Sequence, residues 1–148
     1  MVILVGKIRR GYVRDSEVYF VGFLNANIIT SDNVAVLIGS GKVGLLVSNT
    51  CILTTLRKPL VINTAYCGSA LLIGSKSPIA VGYVKAGKVY ARRIYAQRLE
   101  AREAVLGELC IIDEVDVTER TTFIDPYMYI KKAVSLGRVD YAYKVLEY

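Results

Sequence analysis

Short apolar runs, separated by polar or glycine-containing breaks, recur between residues 18 and 81. These runs occupy residues 18–21, 34–38, 43–47, 51–53, 60–62, 70–73 and 79–81. Brief apolar runs bounded by Gly, Ser, Asn, Asp or Pro are typical of β-strands. From Val36 to Ala80 the centres of the runs follow one another at intervals of seven to ten residues. Such near-even spacing predicts a sandwich, a barrel or a solenoid.

Residues 84–113 divide into six consecutive blocks of five. The first four blocks begin with a branched apolar residue and have alanine in third place, as in Val84-Lys-Ala and Leu99-Glu-Ala. The last two blocks keep apolar residues in both places, and in the sixth block these are Leu109 and Ile111. The regularity indicates that the first and third side chains of every block share one environment.

A helix cannot give these positions a common environment, although the abundance of Ala, Arg, Glu and Leu favours one. Five residues advance a helix by about 500°, so the first positions of the blocks would wind around the whole cylinder. In a short strand the first and third side chains point the same way, and the next two residues can form a bend. This predicts a mainly β fold with a β-solenoid, whose stacked coils bury a continuous core. The alternatives are another β-rich core, or an α+β fold with a helix at about 90–106.

The C-terminal segment carries helix signals. Asp125, which precedes a proline, resembles a helix N-cap, and Gly137 could end that helix. A second helix could begin at Asp140. Because a solenoid must close its open ends to remain soluble, we predict one domain with a β-rich core over 1–124 and a cap of one or two short helices over 125–148.

Apolar-x-small steps recur between Val84 and Val117. They are Val89-x-Ala91, Ile94-x-Ala96, Leu99-x-Ala101, Val105-x-Gly107, Leu109-x-Ile111 and Val115-x-Val117. This segment, about a quarter of the chain, resembles the bactofilin family of small β-helical proteins that polymerise. The resemblance implies a scaffold without nucleotide or cofactor that associates end to end, and it carries over no catalytic residues. The wider spacing of residues 34–82 departs from a regular bactofilin core.

Composition narrows the chemistry. The chain has 148 residues, which suits one domain, and it contains no histidine, which excludes His-based catalytic triads, His metal ligands and imidazole pH switches. The wide spacing of Cys51, Cys67 and Cys110 argues against a disulfide framework and a metal knuckle. We therefore expect buried, reduced thiols in a cytoplasmic protein with no membrane span. The scarcity of labile amides hints at a thermophilic source.

One glycine-rich stretch could be mistaken for a phosphate-binding loop. Gly39-Ser-Gly-Lys42 is followed by Val43, so it lacks the hydroxyl that a P-loop uses to bind magnesium, and Val36 stands where the motif needs its first glycine. We interpret the stretch as a hairpin turn.

Charge is unevenly distributed within the overall balance of +6. Residues 85–102 contain six basic side chains and one acidic one, whereas residues 103–119 contain six acidic side chains and no basic one. In a solenoid these segments would lie at successive levels along the axis. They could give the protein ends of unlike charge that steer head-to-tail stacking. The alternative, which we favour, is a solvated surface with ion pairs between neighbouring coils.

The basic segment also contains tyrosines at positions that should point outward. Exposed aromatic rings among guanidinium groups are what binding of single-stranded nucleic acid requires. The candidate residues are Lys88, Tyr90, Arg92, Arg93, Tyr95, Arg98 and Arg102. Four more basic residues could extend the patch if the fold brings them near: Lys7, Arg9, Arg10 and Arg14.

Enzymatic chemistry has little support. Asp113, Asp116 and Glu119 could hold magnesium, but the sequence supplies no accompanying nucleophile and oxyanion hole. The favoured interpretation is therefore a non-enzymatic structural protein, a homo-oligomer that associates with itself and forms polymers, without a cofactor. The alternatives are a single-stranded nucleic-acid-binding protein and a β-barrel enzyme or flavin binder.

Overall fold

The computed structural model describes residues 1–143 as one parallel β-sheet wound into a solenoid. Its strands are β1 (Val2–Thr54), β2 (Leu60–Ile73), β3 (Ile79–Arg92), β4 (Ile94–Leu106), β5 (Cys110–Phe123), β6 (Met128–Ser135) and β7 (Arg138–Tyr141). Consecutive strands pair in parallel from β1 to β6, and β7 pairs with β5. The predicted β-solenoid is confirmed. The alternative helix at about 90–106 is wrong, because β3 and β4 occupy that stretch.

Buried side chains occur in pairs two residues apart, and the pairs recur every five residues. In β3 and β4 the pairs are Ile79/Val81, Val84/Ala86, Val89/Ala91, Ile94/Ala96, Leu99/Ala101 and Ala104/Leu106. The residues between pairs form corners, so each coil has three sides. The five-residue spacing gives a continuous core because the first and third side chains of each extended segment point to the same side of the backbone, which is the interior.

The three sides are named here in chain order. Side 1 holds the buried or inward pairs of residues 8/10, 24/26, 41/43, 60/62, 79/81, 94/96, 110/112 and 128/130. Side 2 holds 13/15, 29/31, 46/48, 65/67, 84/86, 99/101, 115/117 and 133/135. Side 3 holds 2/4, 18/20, 35/37, 51/53, 70/72, 89/91, 104/106, 121/123 and 139/141.

Glycines with positive φ stack where β1 turns from side 3 to side 1. Gly6, Gly22 and Gly39 have φ values of 104°, 131° and 136°. A Cβ at Gly39 would collide with the carbonyl oxygen of Gly22, and one at Gly22 would collide with that of Gly6. The predicted hairpin turn at Gly39–Lys42 is therefore wrong, because this stretch is a corner inside one continuous strand.

The sixth five-residue block is out of phase. Leu109 and Ile111, predicted to point inward, are 44% and 41% exposed, whereas Cys110 and Ile112 are fully buried. Tyr95 pairs with Ile111, sixteen residues later, so the turn contains one extra residue, and Leu109 takes up a positive φ of 56° there. A shift of one residue moves every following side chain to the opposite face of a strand.

The predicted helices over 125–148 are absent from the part of this segment that lies within residues 1–143. Strands β6 and β7 add further parallel rungs instead. The Asp125 carboxylate accepts a hydrogen bond from the Tyr127 backbone N–H at 2.8 Å, which forms a local turn and not a helix cap. Gly137 has a φ of 60° and passes close over Glu119, so it makes a corner. The end of the predicted second helix, residues 144–148, lies outside the described residues.

Two of the three cysteines are joined. A disulfide links Cys51 to Cys67, whose Cα atoms are 6.0 Å apart, and Cys110 is buried and free. The expectation of three reduced thiols is therefore wrong. Cys51 and Cys67 are sixteen residues apart, which is close to the length of one coil, so the solenoid brings both residues to one interior corner. Because disulfides persist mainly in oxidising compartments, this pairing removes one basis for the cytoplasmic prediction.

Within residues 1–143 there is no helix that is long and apolar enough to cross a membrane.

The disulfide predicts a specific thiol count. Protein purified and denatured without reductant should contain one titratable thiol per chain, that of Cys110. Replacing both partners, Cys51→Ala with Cys67→Ala, should lower the free energy of unfolding by about 3 kcal/mol, because a closed loop of this size constrains the unfolded chain. Cys110→Ala is the matched control for the thiol count and should leave none. Three titratable thiols in protein never exposed to reductant would contradict the disulfide.

Candidate functional site

The fold distributes the predicted nucleic-acid-binding residues over all three sides. Lys88, Tyr90 and Arg92 point outward on side 3, and Tyr95 points outward on side 1. The other three lie at turns or at the ends of side 2: Arg93 before side 1, and Arg98 and Arg102 on either side of Leu99/Ala101. The structure therefore does not bring the seven residues together in one patch. The basic residues of the N-terminal segment lie in the first coil, far from them along the axis.

Three of the six basic side chains in residues 85–102 form ion pairs with the acidic segment that follows. The Lys88 ammonium lies 3.7 Å from the carboxylate of Glu103 in the next coil. The Arg92 guanidinium donates hydrogen bonds to Glu108. The favoured interpretation of the charge pattern, ion pairs between neighbouring coils, is supported by these contacts. Because these side chains are partly exposed, each pair contributes only about 0–1 kcal/mol.

A denser polar cluster lies on side 2. The Tyr83 hydroxyl donates a 2.6 Å hydrogen bond to Glu100, and Arg98 lies 2.6 Å from the same carboxylate. The Arg98 guanidinium also lies over the Tyr83 ring, 5.9 Å from its centroid, and 3.9 Å from Glu114 in the next coil. Three successive coils thus contribute one side chain or more to a single network.

This network shifts the pKa values of Tyr83 and Glu100. The hydrogen bond to Glu100, aided by burial, raises the pKa of Tyr83 to about 12. The same hydrogen bond, together with the neighbouring Arg98, lowers the pKa of Glu100. Ionised Glu100 and neutral Tyr83 therefore stabilise each other, and the cluster acts as a clamp between coils. It has no nucleophile paired with a base, so it offers no route to acid–base chemistry.

An open groove of about 620 Å³ runs along side 1 towards the last coils. Two of the predicted residues, Arg93 and Tyr95, line it. Its other lining residues are Lys76, Pro78, Leu109, Cys110, Ile111, Pro126, Tyr127, Met128 and Tyr129. The rings of Tyr95, Tyr127 and Tyr129 are 49%, 71% and 60% exposed. Basic and aromatic side chains therefore meet here.

The register explains the groove's composition. Tyr95 pairs with Ile111, and Ile111 pairs with Tyr129, so the three side chains form one ladder. The Arg93 side chain donates a 2.6 Å hydrogen bond to the carbonyl oxygen of Ser75, which fixes it against the neighbouring turn. Sequence reasoning missed Lys76, Tyr127 and Tyr129. Both tyrosines lie in the segment for which the sequence predicts a helical cap, and only the coil register places Tyr129 on the ladder of Tyr95.

The acidic residues considered for magnesium are separated. Asp113 lies at the end of side 1, Asp116 points outward on side 2, and Glu119 lies beyond it at the next corner. In the part of the chain that the structure describes, no three His, Cys, Asp or Glu side chains are grouped so that they could hold a metal ion. Lys42 of the glycine-rich stretch is exposed on side 1.

No known protein-family model matches this chain, and no curated protein or solved structure matches it.

The side 2 cluster predicts a pH dependence. Because the folded-state pKa of Tyr83 exceeds its ordinary value of 10, its contribution to stability is present below pH 10 and is lost as the pH rises towards about 12. NMR of ring-labelled tyrosine should show Tyr83 titrating near 12. Glu100→Gln should move that titration back towards 10, since the carboxylate is the main cause of the shift.

Glu103→Gln is the matched control, because it removes a carboxylate from the same strand without touching Tyr83. The Tyr83 resonance, identified by its loss in Tyr83→Phe, should titrate unchanged in that variant. An ordinary tyrosine titration at position 83 in the unmodified protein would contradict the network.

Proposed function

We propose that this protein is a non-enzymatic structural scaffold whose copies associate end to end through their terminal coils. The observation that carries the proposal is that, within residues 1–143, the terminal coils leave inward apolar side chains only partly buried. A repeat protein normally closes each end with a polar cap, because an uncapped coil presents apolar surface and unpaired backbone groups.

The N-terminal coil has inward apolar side chains that the rest of the described chain does not fully bury. Three of its inward aliphatic side chains pack against the core but are only partly buried, whereas the equivalent side chains one coil further in are each 1% exposed. The partly buried set is Val2, Leu4 and Ile8, and the equivalent set is Val18, Phe20 and Leu24. Among residues 1–143 no other segment covers this end. A further coil from a second copy would complete both the packing and the backbone ladder.

The last coils have the same character. Met128 and Ile130 pack on the core but are only partly buried, whereas Cys110 and Ile112, which precede them on side 1, are fully buried. Leu136 is also only partly buried. Both ends thus offer partly exposed apolar side chains, which fits continued stacking.

Charge does not supply the complementarity expected from the sequence. The oppositely charged segments lie inside the stack, in β3, β4 and β5, where they pair with each other. The described end coils both carry more basic than acidic side chains. Residues 1–17 hold Lys7, Arg9, Arg10 and Arg14 against Asp15 and Glu17, and residues 125–143 hold Lys131, Lys132 and Arg138 against Asp125 and Asp140. Ends of unlike charge are therefore not a feature of these coils, and association would depend on apolar and backbone contacts.

The sequence resemblance to bactofilins points in the same direction, because it implies end-to-end association. That resemblance remains a prediction. Since both ends are basic, we expect moderate salt to strengthen stacking by screening their repulsion.

End-to-end stacking predicts that a charge in the exposed end of the core will shorten the assemblies. Ile8→Glu places a carboxylate among the inward side chains of the first coil. Sedimentation velocity over a range of protein concentrations should show large species for the unmodified protein and much smaller ones for this variant.

Asn25→Glu is the matched control, because it adds the same charge to the same side one coil away, at an outward position. It should leave the size distribution unchanged. An unmodified protein that stays a strict monomer at high concentration, with and without salt, would contradict the proposal.

The groove on side 1 supports a second candidate function, binding of single-stranded nucleic acid. Lys76 and Arg93 would meet phosphates, and exposed Tyr95, Tyr127 and Tyr129 would stack on bases. Of the seven residues predicted from the sequence, only Arg93 and Tyr95 belong to this site.

Nucleic-acid binding predicts a defined set of effects in fluorescence anisotropy with a labelled single-stranded oligonucleotide. Affinity should fall steeply as salt rises, and Tyr129→Ala should weaken binding about 5- to 100-fold, as loss of one base–aromatic stack does. Tyr90→Ala removes an outward tyrosine of side 3 and should have no effect. Absence of binding at low salt would eliminate this function.

A further inference from the structure

Side 3 differs from the other two sides in the residues that point away from the core. The residue between the two members of each inward pair points outward, so each side has one such surface residue in every coil. On side 3 these residues are Ile3, Tyr19, Val36, Ile52, Leu71, Tyr90 and Val105, followed by Thr122 and Asp140. Seven consecutive coils therefore present an aliphatic or tyrosine side chain.

The equivalent positions of the other sides are mixed. On side 1 they are Arg9, Asn25, Lys42, Val61, Ala80, Tyr95, Ile111 and Tyr129. On side 2 they are Arg14, Thr30, Val47, Tyr66, Lys85, Glu100, Asp116 and Val134. Side 1 carries a run of five such residues, from Val61 to Tyr129, whereas the run on side 3 is longer and spans seven coils.

A second outward ladder widens the strip. Thr54, Ile73 and Arg92 are paired neighbours, and the stacked glycines place Val5, Val21 and Ile38 on the same line in earlier coils. Val5 and Val21 are 69% and 43% exposed. The strip, defined as the seven residues from Ile3 to Val105 with Val5, Val21, Ile38 and Ile73, is therefore two side chains wide over its N-terminal part.

The sequence of side 3 is that of a sheet buried on both faces. Parallel strands covered on both faces consist of continuous apolar runs, whereas strands with one face in water alternate apolar and polar residues. Four continuous runs lie on side 3, at residues 18–21, 34–38, 51–53 and 70–73, and two lie on side 1, at residues 60–62 and 79–81. The solenoid's own core covers only the inner face of these strands. We propose that the outer face of side 3 is covered by side 3 of a second copy of this chain, packed sheet against sheet.

The size of the strip suits such a pair. Seven rungs about 4.8 Å apart and a strand segment of about five residues at about 3.3 Å each, which takes in the strip and the polar ladder beside it, give an area of about 34 by 17 Å. Two copies would together bury about 1,100 Å², which exceeds the roughly 1,000 Å² that a specific protein interface needs. Two-fold pairing uses the same surface on both copies, and two such sheets would pack about 10 Å apart.

The rim of the strip favours a protein partner over a lipid surface. Its flanking ladder runs Thr50, Ser69, Lys88, Glu103 and Arg120. Charges of both signs alternate here, and Lys88 and Glu103 already pair with each other. Surfaces that bind anionic membranes are instead rich in Lys and Arg around their apolar face. This lateral contact is separate from the end contact proposed above, because it uses outward side chains of side 3, whereas the end contact uses inward side chains of the terminal coils.

A variant that cannot stack end to end allows the lateral contact to be measured by itself. In the Ile8→Glu background, sedimentation equilibrium should detect a dimer. Adding Leu71→Lys, which puts a charge in the centre of the strip, should raise the dimer Kd about a hundredfold or more, because a buried charge without a partner is costly. Val61→Lys is the matched control. Val61 lies in the same strand with the same partial burial and points outward on side 1, so the dimer should persist.

Far-UV circular dichroism and thermal unfolding should be the same for both lysine variants, since neither side chain reaches the core. Three results would overturn the proposal: a monomer in the Ile8→Glu background at all concentrations, a dimer that Leu71→Lys leaves intact, or dissociation by Val61→Lys as well. Binding of the unmodified monomer to phospholipid vesicles would assign the strip to a membrane instead. If the unmodified protein forms no long assemblies but is a dimer sensitive to Leu71→Lys, the end-to-end proposal fails and the lateral one stands.

Discussion

The structure depends on one constraint, that two side chains from every five-residue segment must reach a common interior while the backbone pairs in parallel with the coils on either side. Leu99 and Ala101 illustrate it, since they are 0% and 7% exposed in the middle of a stretch with strong helical propensity. Tertiary packing overrides that propensity because only bent, extended segments bury every pair. Small residues such as Ala101 keep the interior narrow, and larger ones such as Leu99 fill it.

The same register determines the surface. Residues fifteen to nineteen positions apart become neighbours, so Lys85, Glu100 and Asp116 form a ladder although they are distant in sequence. Charge segments that look like opposite poles in the sequence become ion pairs within the stack. Each side then acquires its own character: a tyrosine and basic groove on side 1, a polar clamp between coils on side 2, and an apolar strip on side 3. The three sides therefore offer different chemistry to their surroundings.

The sequence was sufficient for the architecture where the five-residue period is intact. It predicted the solenoid and the outward direction of Tyr95, because alternation in a strand is a local property. It failed at Leu109, where one extra residue reversed the phase, and at Asp125, where a local turn signal resembles a helix cap. It also failed for Cys51 and Cys67, because pairing across coils requires the coil length, and for Tyr129, whose neighbour on the ladder is known only from the register.

The most direct test of the central claim is NMR measurement of backbone contacts across the coils. Nuclear Overhauser effects should link the backbones of Lys85 and Glu100, and those of Glu100 and Asp116, in the regular order of a parallel ladder. The same ladder should be seen from Ala80 through Tyr95 to Ile111. Contacts between residues three and four apart through Arg92–Leu106, without cross-coil contacts, would indicate a helix and would contradict the account.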